Sequence, residues 1–123
     1  MDVKKLKKAI ETLRADLGDA LISTDIYPAG VGTPLVGYNS NPQACALFDQ
    51  VTSYIKKALE GSGFSKLKDY YLLNLEKRLV VVLIFEGYQW IMFVDDSKVN
   101  LGILLNIAIP NARKAFLEAM GEI

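Results

Sequence analysis

Few side chains in this sequence can do chemistry, and their spacing narrows what that chemistry could be. Cys45 is the single cysteine, and histidine is absent. A cysteine nucleophile works as its thiolate, which a helix N-terminus favours, and Cys45 stands a few residues into a segment opened by Asn41-Pro42. The base that completes such a site is most often histidine. Without it, no Cys-His pair, Ser-His-Asp triad or His-liganded zinc can be built within the chain. Cys45 therefore reads as a buried or interface thiol. Asp95 and Asp96 lie between a strand and a helix, where two acids could meet a divalent cation. No further carboxylates are spaced to complete an oxygen cage, so a solvated turn is the better account. Gly61-Ser62-Gly63-Phe64-Ser65-Lys66 has the glycines of a phosphate loop without the Walker spacing. It follows a helix instead of a strand, and reads as a helix terminator. Trp90, Tyr70, Tyr71 and Tyr88 could stack bases only with basic residues on the same face, whereas Trp90 is followed by Ile91, Met92 and Phe93. No catalytic residue, metal-ligand set or cofactor motif emerges, and the expectation is a protein that is not an enzyme.

The composition agrees. Lys plus Arg and Asp plus Glu each number 14, which argues against broad capture of nucleic acid or an anionic membrane. A length of 123 residues predicts one domain over 1–123, able to bury about two-thirds of its unfolded surface. A lone cysteine forms no internal disulfide and fits a reducing compartment. Met1–Lys8 lacks the apolar run of a signal peptide. The longest strongly apolar run, Leu79–Phe85, falls far short of the ~20 residues that span a bilayer. A cytoplasmic protein without membrane insertion is expected. Hydrophobic residues make up 51%, slightly more than usual, and that excess must be buried somewhere.

The elements that would position these residues follow from periodicity. Val3, Leu6, Ile10, Leu13 and Leu17 recur at three-four spacing, which predicts a helix from Asp2 to about Ala15, with Gly18 as its cap. Asp19–Ile26 reads as a strand, Tyr27–Thr33 as a loop and Leu35–Asn39 as a returning strand. Asn41 at the cap and Pro42 at the first helical position open a helix that runs to about Glu60. Asp69–Leu75, Leu79–Phe85 and Gln89–Val94 form a meander with short turns. The unbroken apolar run of the middle strand predicts cover on both faces. Asn100–Met120 is helical, and Pro110 should kink or break it. The order α-β-β-α-β-β-β-α, with mostly hairpin connections, predicts an α/β (α+β) fold: a five-stranded, mainly antiparallel sheet sandwiched between helices.

Two elements carry more apolar surface than one core requires. On the middle helix, Ala44, Phe48, Val51, Ile55 and Leu59 form one stripe. Leu47, Tyr54 and Ala58 widen it on one side, and Cys45 and Thr52 on the other. This arc covers about half the circumference, against the roughly 100° of a single core-facing helix. The strand Tyr70–Leu75 is apolar on both faces, a liability at a sheet edge. A ligand groove, a deeply buried helix or a dimer seam could each absorb the arc. A symmetric seam resolves both liabilities in one contact.

The chain from about Val3 to Met120 resembles a Roadblock (dynein light chain) domain of the wider longin and profilin-like group. The element order carries the resemblance, with Gly18-Asp19-Ala20-Leu21-Ile22-Ser23-Thr24-Asp25, the strand Tyr88–Val94 with Asp95, and Asn100-Leu101-Gly102-Ile103-Leu104 at the last helix. The loop Ile26–Pro34 is longer than the family's tight turn, and Pro110 interrupts the last helix. The resemblance implies a non-enzymatic homodimer whose third strands pair into a ten-stranded sheet, with the middle helices side by side on one face. It implies docking of a small Ras-like GTPase. It assigns Cys45, Phe48, Thr52 and the strand residues Tyr70, Tyr71, Leu72, Leu73 and Leu75 to the dimer seam, and transfers no catalytic residue. The rival expectation is a small-ligand sensor on a profilin-like scaffold, its pocket bordered by the Ile26–Pro34 loop and the Trp90 strand.

Overall fold

The first helix, α1 (Val3–Leu17), is capped by Asp2, whose Oδ1 accepts from the Lys4 and Lys5 N–H groups. A single 3-10 turn, Gly18–Ala20, leads into β1 (Leu21–Pro28), which hairpins into β2 (Val36–Tyr38). Then come α2 (Pro42–Ser62), β3 (Tyr70–Leu75), β4 (Arg78–Phe85) and β5 (Tyr88–Asp95). The chain closes with α3 (Leu101–Ile103), a π turn (Leu104–Ala108) and α4 (Ile109–Ala119). This computed structural model describes residues 1–122.

The sheet has five strands in the order β2-β1-β5-β4-β3, and every neighbouring pair is antiparallel. The expected α+β sandwich is therefore present. Strand alternation sends Leu79, Val81, Leu83, Trp90, Met92 and Val94 to one face, where α1 and α4 cover them. Val80, Val82 and Ile91 go to the other face, under Ala44, Cys45 and Phe48 of α2. This two-sided cover is why β4 reads as an unbroken apolar run.

Two sequence expectations shift. Tyr27 and Pro28 belong to β1, not to a loop, because Tyr27 pairs with Gln89 and Pro28 with Tyr88. The Tyr27 hydroxyl donates to Gln89 Oε1 at 2.7 Å in the buried interior. Pro28 ends the strand, where a missing N–H costs least. The connection left is Ala29–Leu35, shorter than the Ile26–Pro34 loop expected. Pro110, in turn, does not break the last helix. It falls in the first turn of α4, after the backbone has widened into the π turn Leu104–Ala108. The wider i→i+5 turn lets the helix pass a residue that has no N–H and crowds the preceding turn. Leu104 and Ala108 face the core, while Leu101, Ile103, Leu105 and Ile107 face outward.

Trp90 lies fully buried at the centre of the sheet. Its indole N–H donates to Thr24 Oγ1 at 2.6 Å, and the Thr24 hydroxyl donates onward to the Ile91 carbonyl at 2.7 Å. An indole so placed is a core residue with its polar handle satisfied.

Candidate functional site

The local sequence sets α2 in place. Asn41 Oδ1 accepts from the Ala44 N–H at 3.1 Å, Pro42 opens the first turn, and Gly63 closes the helix in the left-handed region at φ 82. The helix thus runs slightly beyond Glu60, and Gly61 and Ser62 belong to it. Gly63 alone serves as its terminator. Three polar contacts tie it down. Asp25 Oδ2 accepts from the Asn41 N–H at 2.8 Å, Asp49 Oδ1 accepts from the Gly30 N–H at 2.9 Å, and Thr52 Oγ1 and the Tyr71 hydroxyl share a hydrogen bond at 2.7 Å.

Only Ala44, Cys45, Phe48 and Thr52 of α2 are buried. Cys45, Phe48 and Thr52, expected on the seam, thus turn into the chain's own sheet. Phe48 meets Phe93 edge-on at 5.8 Å. Cys45 and Thr52 have no exposed surface, so they cannot themselves form a contact surface for a second chain. The opposite border of the arc is what remains outside. Leu47 is 53% exposed and Tyr54 79%, with Val51 half-buried and Ala58 exposed between and beyond them. Their four-three-four spacing is that of a helix-packing stripe.

β3 is one of the sheet's two edge strands and has one neighbour, β4. The Ile84 N–H donates to the Asp69 carbonyl at 2.8 Å. Alternation then turns the backbone groups of Tyr71, Leu73 and Leu75 toward β4 and those of Tyr70, Leu72 and Asn74 outward. By register, Tyr71, Leu73 and Leu75 lie on the α2 face and Tyr70 and Leu72 on the other. Tyr70 and Leu75 are exposed and Tyr71, Leu72 and Leu73 half-buried. A free strand edge and an exposed apolar helix flank therefore border one face of the sheet. Tyr71, Leu73 and Val51 fringe the same apolar cluster.

The other residues with chemical potential are engaged. Asp95 Oδ1 accepts from the Ser97 hydroxyl and N–H at 2.7 and 2.9 Å. Those bonds hold its carboxyl below the usual range, as in a turn. The loop after β1 borders a depression of about 850 Å³ beside Asp49, Ser53 and Lys56 of α2, open to solvent. Periodicity does not reveal one further feature. Asp25 is 1% exposed, and its Oδ1 takes no hydrogen bond from any N–H or O–H group among the described residues; it faces the Cys45 thiol. A Cβ at Gly37 would overlap this oxygen, so glycine is required where β2 crosses it. The one hint in the sequence is an acid in the middle of an apolar strand.

Burial, and then the facing Asp25 carboxylate, push the Cys45 thiol from its ordinary 9.0 up to about 12. Thiol reagents should leave native Cys45 unmodified at mildly alkaline pH and label it fully in denaturant. Below pH 9.0 the thiol is protonated in both states; above it only the unfolded chain ionises, so stability declines until about pH 12. Burial raises Tyr27 and Tyr71 as well, with the same sign. The urea midpoint should fall across this window, and less steeply in Cys45→Ala. Rapid labelling of the native thiol would contradict its placement.

No protein-family model and no curated protein sequence matches this chain. Solved structures do. Myxococcus xanthus MglB superposes with a TM-score of 0.82 at 11% identity, over 100% of both chains. The gliding protein MglB of Thermus thermophilus gives 0.79 at 12% identity, over 98% of this chain and 91% of that one. A Roadblock/LC7 domain from Streptomyces avermitilis gives 0.69 at 11% identity, over 93% and 97%. The chain has the Roadblock/LC7 fold. Identities this low speak to the fold alone. The sheet leaves β3 free on one edge and β2 on the other, with α2 on one face.

Proposed function

We propose that this Roadblock-type protein is a non-enzymatic cytoplasmic scaffold that forms a homodimer and binds a small Ras-like GTPase. The observation that carries the reading is the free β3 edge beside the exposed apolar flank of α2. Unpaired N–H and C=O groups flanked by apolar side chains invite strand addition. A two-fold axis at Leu72 pairs the outward groups of Tyr70 with those of Asn74 in the copy. The two sheets then become one, and the Leu47–Val51–Tyr54–Ala58 flanks approach each other. The contact is isologous and closed.

The GTPase is what the Roadblock resemblance implies, and the fold likeness to MglB supports the scaffold role. An effect on hydrolysis would come from positioning the GTPase's own residues, since phosphoryl transfer rests on placement and electrostatics. No arginine here is poised as a finger. Arg14 pairs with Glu11 at 3.2 Å and stacks 3.8 Å over the Tyr38 ring, Arg113 pairs with Asp69 at 3.2 Å, and Arg78 opens β4 at the hairpin.

Immobilised protein should retain a small GTPase from its own lysate in a nucleotide-dependent way. Repeated failure with intact dimers overturns the GTPase assignment. A monomer by light scattering overturns the dimer.

A further inference from the structure

We propose that the opposite sheet edge, β2 with the groove between it and α1, is a docking site for an extended acidic peptide that adds to the sheet as a strand. β2 has one neighbour, β1, and no strand on its outer side. A groove of about 500 Å³ runs between this edge and α1. Ile10 and Val36 are its buried floor, and Leu35 stands 39% exposed on its wall. Gly37, exposed between Val36 and Tyr38, also lines the groove. An extended segment laid here would satisfy main-chain donors and acceptors and turn alternate side chains into the groove.

Charge selects the occupant. Lys4, Lys5, Lys7 and Lys8 crowd the first two turns of α1, and Lys7 and Lys8 line the groove. None of the four forms an ion pair among the described residues. Asp2 offsets part of this charge at the cap, but the first turn itself holds no acid. Cations at this end oppose the helix dipole, so the arrangement is unfavourable in isolation and improves when an anion arrives. Glu11, the acid that lines the groove, is bound by Arg14 and leaves the lysines unmatched. The same lysines repel a second copy of this edge, so the partner is not another copy of this chain. A partner that offers backbone hydrogen bonds, alternating apolar side chains and negative charge matches every side of the groove. This site is independent of the β3 edge.

A fluorescent capped Glu-Val-Glu-Val-Glu-Val peptide tests the proposal. Added to the whole protein, it should bind with an affinity that weakens as salt rises. It should shift the amide resonances of residues 35–39 and 7–11 and leave the light-scattering mass of the protein assembly otherwise unchanged. Lys7→Glu with Lys8→Glu, both exposed positions, should weaken binding about tenfold or more. Methylating alternate peptide nitrogens, which keeps charge and side chains but removes donors, should abolish it. Undetectable binding, or equal binding by the methylated peptide, overturns the proposal. So does tighter binding of phosphatidylserine vesicles or oligothymidylate that is lost in the double variant, since that assigns the lysines to a polyanion.

Discussion

Replacing Asn74 with proline is expected to convert the proposed dimer into a folded monomer. Asn74 is exposed, and its N–H points away from β4. Proline there removes no bond of the chain's own ladder, and proline is tolerated on an edge strand with its nitrogen outward. It does remove a donor that strand pairing needs, and its ring obstructs the approach of a second strand. Leu73→Lys attacks the same seam by another route. Leu73 is half-buried on the α2 face, beside the apolar cluster that holds Val51 and Phe93. In the proposed dimer a lysine there places charge between the two chains. Both variants should elute and scatter as monomers, keep their far-ultraviolet circular dichroism, and lose GTPase capture if docking spans both protomers. Unchanged dimers in Asn74→Pro would move the interface off β3. Thr52→Glu, by contrast, should give a folding defect, because Thr52 has no exposed surface and bonds Tyr71.

Trp90→Ala should cost about 3–5 kcal/mol, a large share of the ~5–15 kcal/mol that holds a domain folded. Trp90 is the largest of the fully buried side chains, in a strand flanked by β1 and β4. Its removal opens a cavity and strips the Thr24 hydroxyl of its indole donor. Trp90→Phe retains most of the volume and should cost less. Because Trp90 is the only tryptophan, urea unfolding should be followed by circular dichroism. A loss below about 1 kcal/mol would contradict close packing at this position.

Much of the architecture was readable because its signals are local. Asn41-Pro42 and Gly63 mark the two ends of α2 in the residues themselves. The β4 run announced cover on both faces, and the element order announced the sandwich. Tyr27 and Pro28 differ from the sequence expectation because a proline usually punctuates a loop, whereas here pairing with β5 continues β1 through it. Pro110 departs from its expected role for a similar reason, since the π turn that accommodates it leaves no local signature.

The candidate site divides along the same line. The sequence by itself determined that α2 and Tyr70–Leu75 hold more apolar surface than one core absorbs, and that histidine-dependent catalysis is excluded. Amphipathic excess and composition are properties of the chain alone. Only the tertiary structure decided which part of that excess stays outside. Cys45, Phe48 and Thr52 go inward and Leu47 and Tyr54 outward, because the wheel gives the width of an arc but not the angle at which the helix sits on the sheet. That angle is set by long-range contacts, Asp25 to Asn41, Gly30 to Asp49 and Thr52 to Tyr71, between residues far apart in the chain.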